Sequence, residues 1–143
     1  MSRRKQTNQL SLFTPGLDTD PTVKAAMREA ARVCGLSREQ ICDRMNELAS
    51  QAGIRLNGGN AKGLALPTLE KWLNPLDREH IPSARAIGVF CRAVGRVEPL
   101  QALVAPHGLQ LINEEQARKL RMAEIEEEME ALKRERQRLK AGS

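Results

Sequence analysis

Aromatic side chains are almost absent from this chain of 143 residues. Two phenylalanines and one tryptophan make up 2% of it, and there is no tyrosine. The apolar residues are mainly alanine and leucine, which favour helix over strand because strands are enriched in β-branched and aromatic side chains. The length suits one small domain with an appendage rather than two domains that each bury a core. The composition therefore predicts an all-α protein.

Long hydrophobic runs are also missing. No window of about 18 apolar residues occurs, so no transmembrane helix is expected. Arg3, Arg4 and Lys5 lie near the N-terminus, but no apolar segment follows them as it would in a secretory signal. These absences predict a soluble, cytoplasmic protein.

Cysteine and histidine are too few and too scattered for a disulfide framework or a metal site. Cys34, Cys42 and Cys91 are an odd number at irregular spacing, and they form no CxxC pair. His80 and His107 are far apart in the sequence. Each cysteine lies in an apolar helical pattern, where a free thiol behaves as a small hydrophobic group. We expect the cysteines in the core and no metal or other cofactor.

No catalytic motif is complete. The segment NGGNAKG at residues 57–63 has the glycines and lysine of a phosphate-binding loop. In a P-loop, however, the lysine follows the second glycine and precedes a hydroxyl residue, whereas here Lys62 precedes Gly63. Neither histidine has a serine or cysteine nucleophile in a predictable geometry. The sequence therefore does not predict an enzyme.

The net charge of +5 is unevenly distributed along the chain. From Glu114 onward eight acidic residues balance eight basic ones, so the excess lies in residues 1–113. A basic excess on a small domain suits a polyanionic partner.

Helical patterning divides the chain into three parts. Residues 1–20 are polar and basic and predict a flexible arm. Residues 21–108 predict a domain of five helices with an inserted loop at about 53–65, and residues 109–143 predict a long charged helix. Asp20 is the predicted N-cap of the first helix, and the short third helix is predicted over 67–74. Further capping signals are the pairs Ser37 with Gln40 and Asn113 with Gln116, and the glycines Gly35, Gly53 and Gly95. The predicted buried faces comprise Val23, Ala26, Met27, Ala30, Ala31, Cys34, Ile41, Cys42, Met45, Leu48, Ala49, Leu69, Trp72, Leu73, Ala86, Ile87, Phe90, Cys91 and Val94.

The C-terminal helix carries an apolar row at coiled-coil spacing. The row alternates between a and d positions of three heptads, and Arg136 interrupts it. We expect this segment to join copies of the chain. The alternative is a solvated single helix stabilised by the ion pairs Glu114–Arg118, Glu115–Lys119 and Glu130–Arg134. The row consists of Met122, Ile125, Met129, Leu132 and Leu139.

Three segments, in order, resemble the lambda-repressor-like (XRE-type) helix-turn-helix domain. LSREQICDRM at residues 36–45 is similar to the family's second helix, and GLALPTLEKWLNP at 63–75 to its turn and recognition helix. IPSARAIGVFCRAVG at 81–95 is similar to its next helix. The resemblance covers about residues 21–105. It implies a five-helix DNA-binding domain whose third helix enters the major groove.

Two departures from the family pattern affect the expected docking. The segment NELASQAGIRLNGGNAK adds about 17 residues between the second helix and the turn. We expect this insertion to move the third helix relative to the second, although a long surface loop costs the fold little. The tip of the third helix has Ala65, Leu66 and Pro67 where the family usually has polar side chains. Apolar groups contact thymine methyls but cannot read hydrogen-bonding patterns, so we expect few direct base contacts.

The resemblance suggests the DNA-binding residues. Arg38 matches a phosphate contact at the start of the second helix; its alternative is a surface ion pair with Glu39 or Asp43. On the third helix, Thr68 and Lys71 lie away from the apolar face and are the expected groove-facing residues. The alternative for Thr68 is N-capping, and Trp72 is expected in the core. Asn74 is a further candidate, which matches a phosphate contact or is a C-cap. The inserted loop adds Arg55 and Lys62 with Asn57 and Asn60, which reach phosphates or have no partner. The basic arm at Arg3, Arg4 and Lys5 has the same two alternatives.

The sequence thus predicts a sequence-specific regulator of transcription that binds double-stranded DNA as an oligomer. The resemblance implies a repressor of phage or bacterial type, acting in the bacterial cytoplasm or nucleoid. Two alternatives remain open: a protein-interaction adaptor that uses the helix-turn-helix as a scaffold, and an architectural accessory factor for phage or mobile-element recombination.

Overall fold

The computed structural model describes residues 17–58 and 63–142. Within these residues the regular secondary structure is helical, which confirms the predicted all-α class. The chain divides into two compact units, Met1–Gln110 and Leu111–Ser143. The helices are α1 (Asp20–Val33), α2 (Arg38–Ala52), α3 (Leu66–Trp72), α4 (Ala84–Val94), α5 (Glu98–Val104) and α6 (Glu114–Ala141), and a 3-10 turn at Ala105–His107 follows α5.

Capping side chains begin α2, α4 and α6, and glycines in the left-handed conformation end α2 and α4. The Ser37 hydroxyl accepts the Gln40 main-chain N–H while the Gln40 side chain accepts the Ser37 N–H, which closes the predicted capping box. Gly53 and Gly95 follow α2 and α4 with φ of 67° and 71°, a conformation that glycine adopts without steric cost. The predicted N-cap at Asp20 is wrong. Thr19 is the N-cap, and Asp20 is the first helical residue, where an acidic side chain suits the helix dipole.

The predicted apolar faces of the first unit meet in one core. Among them, Ala26, Cys34 and Leu48 are only partly buried, and the others are buried. Burial raises the pKa of the Cys42 and Cys91 thiols, which keeps them protonated and unreactive at neutral pH. Trp72 is buried in the core, as predicted.

The most extensive helix packing in this unit is between α1 and α5, followed by that between α2 and α4. Helix α2 packs against α3 and α4, helix α1 packs against α4 and α5, and α4 also contacts α5. Leu56 and Leu64, on either side of residues 59–62, are both buried and belong to the same core. The segment between α2 and α3 is therefore anchored at both ends despite its length.

The second unit contains one helix, α6, on which the described side chains are all exposed. Asn113 and Gln116 close the predicted capping box at its start. The predicted Glu115–Lys119 ion pair forms, with 3.5 Å between Nζ and Oε1. The predicted pairs Glu114–Arg118 and Glu130–Arg134 are not formed in the described part of the helix. Across residues 17–58 and 63–142, no helix combines the length and the apolar character needed to cross a membrane.

Candidate nucleic-acid interface

Asn46 fastens the end of the long loop to α2, just before α3 begins. Its side-chain amide donates to the Leu64 carbonyl at 2.9 Å, and its Oδ1 accepts the Leu64 main-chain N–H at 2.7 Å. The Cys42 thiol also donates to the Leu64 carbonyl, at 3.1 Å. A Cβ on Gly63 would lie 2.8 Å from Asn46 Oδ1, so only glycine allows this close approach without movement. These contacts determine where α3 starts.

Replacing Asn46 by alanine is expected to lower the free energy of unfolding by about 1–3 kcal/mol, because the buried Leu64 N–H loses its hydrogen-bond partner and the Leu64 carbonyl keeps only the Cys42 thiol. Chemical denaturation measures the change. The matched control is Gln51→Ala, an exposed position near the end of α2, with an expected effect below about 0.5 kcal/mol. Equal stability of the two variants would show that the Asn46–Leu64 pair does not hold the loop.

Lys24 holds the other end of α3. Its side chain is 1% exposed, and its ammonium group donates to the main-chain carbonyls of Lys71 at 3.0 Å, of Asn74 at 3.3 Å and of Asp77. The Lys71 carbonyl belongs to the last turn of α3, which carries the negative end of the helix dipole and therefore suits a cation, and the Asn74 and Asp77 carbonyls follow the helix. Burial lowers the pKa of Lys24, an effect that Asp77 and Asp20 partly oppose. Lys24 thus fixes the C-terminal end of α3 against α1.

Asp77 organises the turn that follows α3. Its Oδ1 accepts the main-chain N–H groups of Glu79 at 2.9 Å and His80 at 3.0 Å, and its Oδ2 lies 3.0 Å from the His80 Nδ1. The hydrogen bond from the His80 main chain has the largest effect on the pKa of the Asp77 carboxyl group, and it lowers this pKa. The His80 ring and the Glu79 N–H also lower it, whereas burial raises it. The net result is a pKa of about 2 for Asp77.

The Asp77 carboxylate is expected to make stability fall in acid. Because its folded pKa of about 2 lies below the usual 3.8, its contribution is fully present above the unfolded pKa and is lost as pH falls towards 2. The melting temperature of the wild-type chain should therefore drop more between pH 5 and pH 2, an interval set by these two pKa values, than that of Asp77→Asn. Thermal scans across this range check the difference, and parallel curves for the two proteins would contradict it.

A basic cleft of about 430 Å³ lies where α1, α2 and α3 meet. We name it the α1–α2–α3 cleft. Arg28 of α1, Arg38 at the start of α2 and Lys71 near the end of α3 outnumber its one acidic residue, Glu70. The complete lining is Arg28, Arg38, Glu70, Lys71, Leu73 and Asn74. Three residues predicted from sequence, Arg38, Lys71 and Asn74, are therefore brought together, and Arg28 is an addition that the sequence did not single out.

Arg38 is paired across the cleft rather than along its own helix. Its guanidinium lies 3.2 Å from the Glu70 carboxylate, so the predicted alternative of a pair with Glu39 or Asp43 is wrong in the choice of partner. Both side chains are partly exposed, at 33% and 49%. Such a pair is worth at most about 1 kcal/mol, so a phosphate can replace the carboxylate at little cost.

Only one side-chain atom of Asn74 makes a hydrogen bond within the turn that follows α3. Its Oδ1 accepts the Leu76 main-chain N–H at 3.0 Å, and among the described contacts its amide NH₂ group has no partner. The C-cap of α3 is Leu73, so the C-cap alternative for Asn74 is wrong. Helix α3 ends at Trp72, two residues before the predicted end.

Thr68 and Arg55 lie in a second cleft, of about 750 Å³. Its polar lining includes His80, Ser83 and Arg85, and the Arg85 guanidinium donates to the Arg55 carbonyl at 3.5 Å. Thr68 is not the N-cap of α3, because Ala65 takes that position. Thr68 and Lys71, both predicted to face the groove, thus line different clefts. Lys62, Asn60 and the arm residues Arg3, Arg4 and Lys5 lie outside the described residues.

Comparisons of the chain with models of protein families, with curated proteins and with solved structures found no match.

Proposed function

We propose that this protein binds double-stranded DNA sequence-specifically and regulates transcription as an oligomer. The observation that carries the proposal is the α1–α2–α3 cleft, in which three basic side chains from three helices converge around the C-terminal half of α3. Phosphate contacts from lysine and arginine supply most of the affinity of non-specific DNA binding and a large share of specific binding.

Helices α2 and α3 act as the helix-turn-helix in this proposal. Helix α3 enters the major groove, and Arg28, Arg38 and Lys71 bind the flanking phosphates. Asn74 donates hydrogen bonds from its free amide group to the same phosphate backbone of the DNA. The apolar tip of α3 contacts thymine methyl groups through Ala65 and Pro67, both of which are exposed. Sequence preference then comes from a few base contacts together with the shape of the DNA.

Helix α6 joins the protomers. Its apolar row is exposed along the whole helix, and pairing with a second copy covers it. Two linked DNA-binding units read two half-sites together, because binding of the first raises the effective concentration of the second. Occupation of a promoter in this way represses transcription, and the place of action is the bacterial cytoplasm or nucleoid.

The presence of Glu70 in the α1–α2–α3 cleft favours a different function. A carboxylate among the lining residues opposes phosphate, and the exposed row of α6 suits a partner helix of another protein. In this second candidate the protein is an adaptor and its first unit is a scaffold. An architectural DNA-binding factor is the third possibility, and it differs from the regulator in lacking sequence preference.

Selection of bound duplexes from a random DNA pool, followed by mobility shifts, tests the proposal. A regulator enriches a defined motif, and its affinity falls steeply as salt rises. Retention of duplexes without an enriched motif supports the architectural factor instead. If no duplex is retarded at moderate salt, the protein is not a DNA-binding regulator, and the adaptor function gains support.

A further inference from the structure

We propose that α6 pairs with α6 of a second copy as a parallel, two-stranded coiled coil. This inference rests on the oligomeric part of the proposed function and adds the orientation and the number of strands. Two features of α6 support it: the exposed apolar row, and the charges that flank the row on both sides.

The row has no cover within its own unit. Its side chains are between 41% exposed, at Ile125, and 67% exposed, at Leu139. Taking Met122 as position a puts Met129 at the next a position, and Ile125, Leu132 and Leu139 at d. A lone helix cannot bury a row on its own surface, and hydrophobic residues at a and d are the signal for pairing with another helix.

The flanking e and g positions have complementary charges in a parallel pair. In that arrangement each g residue faces the e residue five positions later on the other helix. The facing pairs beside the row are Arg121 with Glu126, Glu128 with Lys133, and Glu135 with Lys140. All three are opposite in charge, and each occurs twice in a two-fold dimer.

An antiparallel pair loses this complementarity. In the register that overlaps the complete row, e faces e and g faces g, so that Lys119 faces Lys140 and Glu128 faces Glu135. Both of these contacts are repulsive, and only Glu126 with Lys133 is attractive. The charge pattern therefore selects the parallel orientation and names a second copy of this chain as the occupant.

Arg136 indicates the number of strands. It occupies the a position between Leu132 and Leu139, where a single polar residue specifies oligomer state at some cost in stability. A two-stranded seam leaves the long arginine side chain a route to solvent, and Glu135 of the second copy flanks it. A more enclosed trimer or tetramer core would bury the charge.

The intrahelical ion pairs of α6 do not prevent this arrangement. Arg121 pairs with Glu124 at 3.2 Å, and Arg138 lies 4.0 Å from Glu135, but these side chains are 55–79% exposed. Exposed pairs of this kind contribute little and exchange partners freely.

The test is charge reversal in the full-length chain, with self-association measured by analytical ultracentrifugation. Glu128→Lys places lysine against Lys133 in both contacts of a parallel dimer, so we expect dimerisation to weaken about tenfold. In the antiparallel register the same change creates an attraction to Glu135 and strengthens association. The matched control is Glu127→Lys, which makes the same charge change one residue away at the outward f position and should leave association unchanged.

Lys133→Glu should weaken self-association as Glu128→Lys does, and an equimolar mixture of Glu128→Lys and Lys133→Glu should form a heterodimer.

The outcomes separate this inference from the proposed function. Weakening by Glu128→Lys and heterodimer formation in the mixture support the parallel dimer. A wild-type monomer, a trimer or larger assembly, or stronger association of Glu128→Lys overturns it. DNA binding by the first unit is measured separately in mobility shifts, so a failed coiled coil leaves that result intact, and absence of DNA binding leaves the dimer intact.

Discussion

Replacing both Arg38 and Lys71 by alanine is expected to weaken DNA binding about 100-fold while leaving the fold intact. Each residue is expected to contribute one phosphate contact, worth about tenfold in affinity. The slope of log affinity against log salt should also fall by about 2, because two fewer counterions are released on binding. Lys71→Ala alone should weaken binding about tenfold and lower the slope by about 1. The Lys71 carbonyl, which accepts from Lys24, is retained in these variants.

The controls separate a local contact from overall charge. Arg92→Ala, the control for Lys71→Ala, removes one positive charge from the exposed side of α4, outside both clefts, and should change affinity less than about twofold. Glu70→Gln should strengthen binding, because it removes the one carboxylate of the cleft. Unchanged affinity in the double variant, with unchanged thermal stability, would remove the α1–α2–α3 cleft from the interface.

Replacing Lys24 by methionine is expected to lower the free energy of unfolding by about 2–3 kcal/mol. The apolar side chain fills a similar volume but leaves the Asp77 carbonyl without a donor and weakens the bonding of two more. For a unit of this size the melting temperature should fall by roughly 10 °C. DNA binding should weaken as well, because the C-terminal end of α3 loses its attachment to α1.

Arg28→Met provides the matched comparison on the same helix. Arg28 is exposed one turn beyond Lys24, so its replacement should change stability by less than about 0.5 kcal/mol. If Lys24→Met is as stable as the wild-type chain, a buried ammonium is not what holds α3, and apolar packing alone would account for its position.

Local sequence patterns were sufficient to predict the helices. Apolar periodicity and the capping pairs at Ser37 and Asn113 act within a few residues, so they can be read directly from the chain. The error at Asp20 arose because Thr19 takes the N-cap without a side-chain hydrogen bond, which leaves no distinctive signal. The observed end of α3 differs from the predicted one because the Asn74 N–H bonds to the Lys71 carbonyl, three residues back, as in a turn.

The candidate site was only partly predictable, because its geometry depends on contacts between distant residues. The pattern of α3 singled out Thr68 and Lys71 together, but packing of the helix separates them into two clefts. Asn46 and Lys24 act on residues 18 and 47–53 positions away, and nothing in their own neighbourhood identifies those partners. Lys24 has one local signal, since it lies next to Val23 on the edge of the apolar face of α1.

Mapping a duplex onto the protein by NMR tests the central claim most directly. A selected DNA site is titrated into the isotope-labelled full-length chain, and amide shifts are followed residue by residue. We expect the largest changes at Arg28, Arg38, Glu70, Lys71 and Asn74, with little change around Arg92 on α4. Changes confined to α6, or no changes with any duplex, would contradict it.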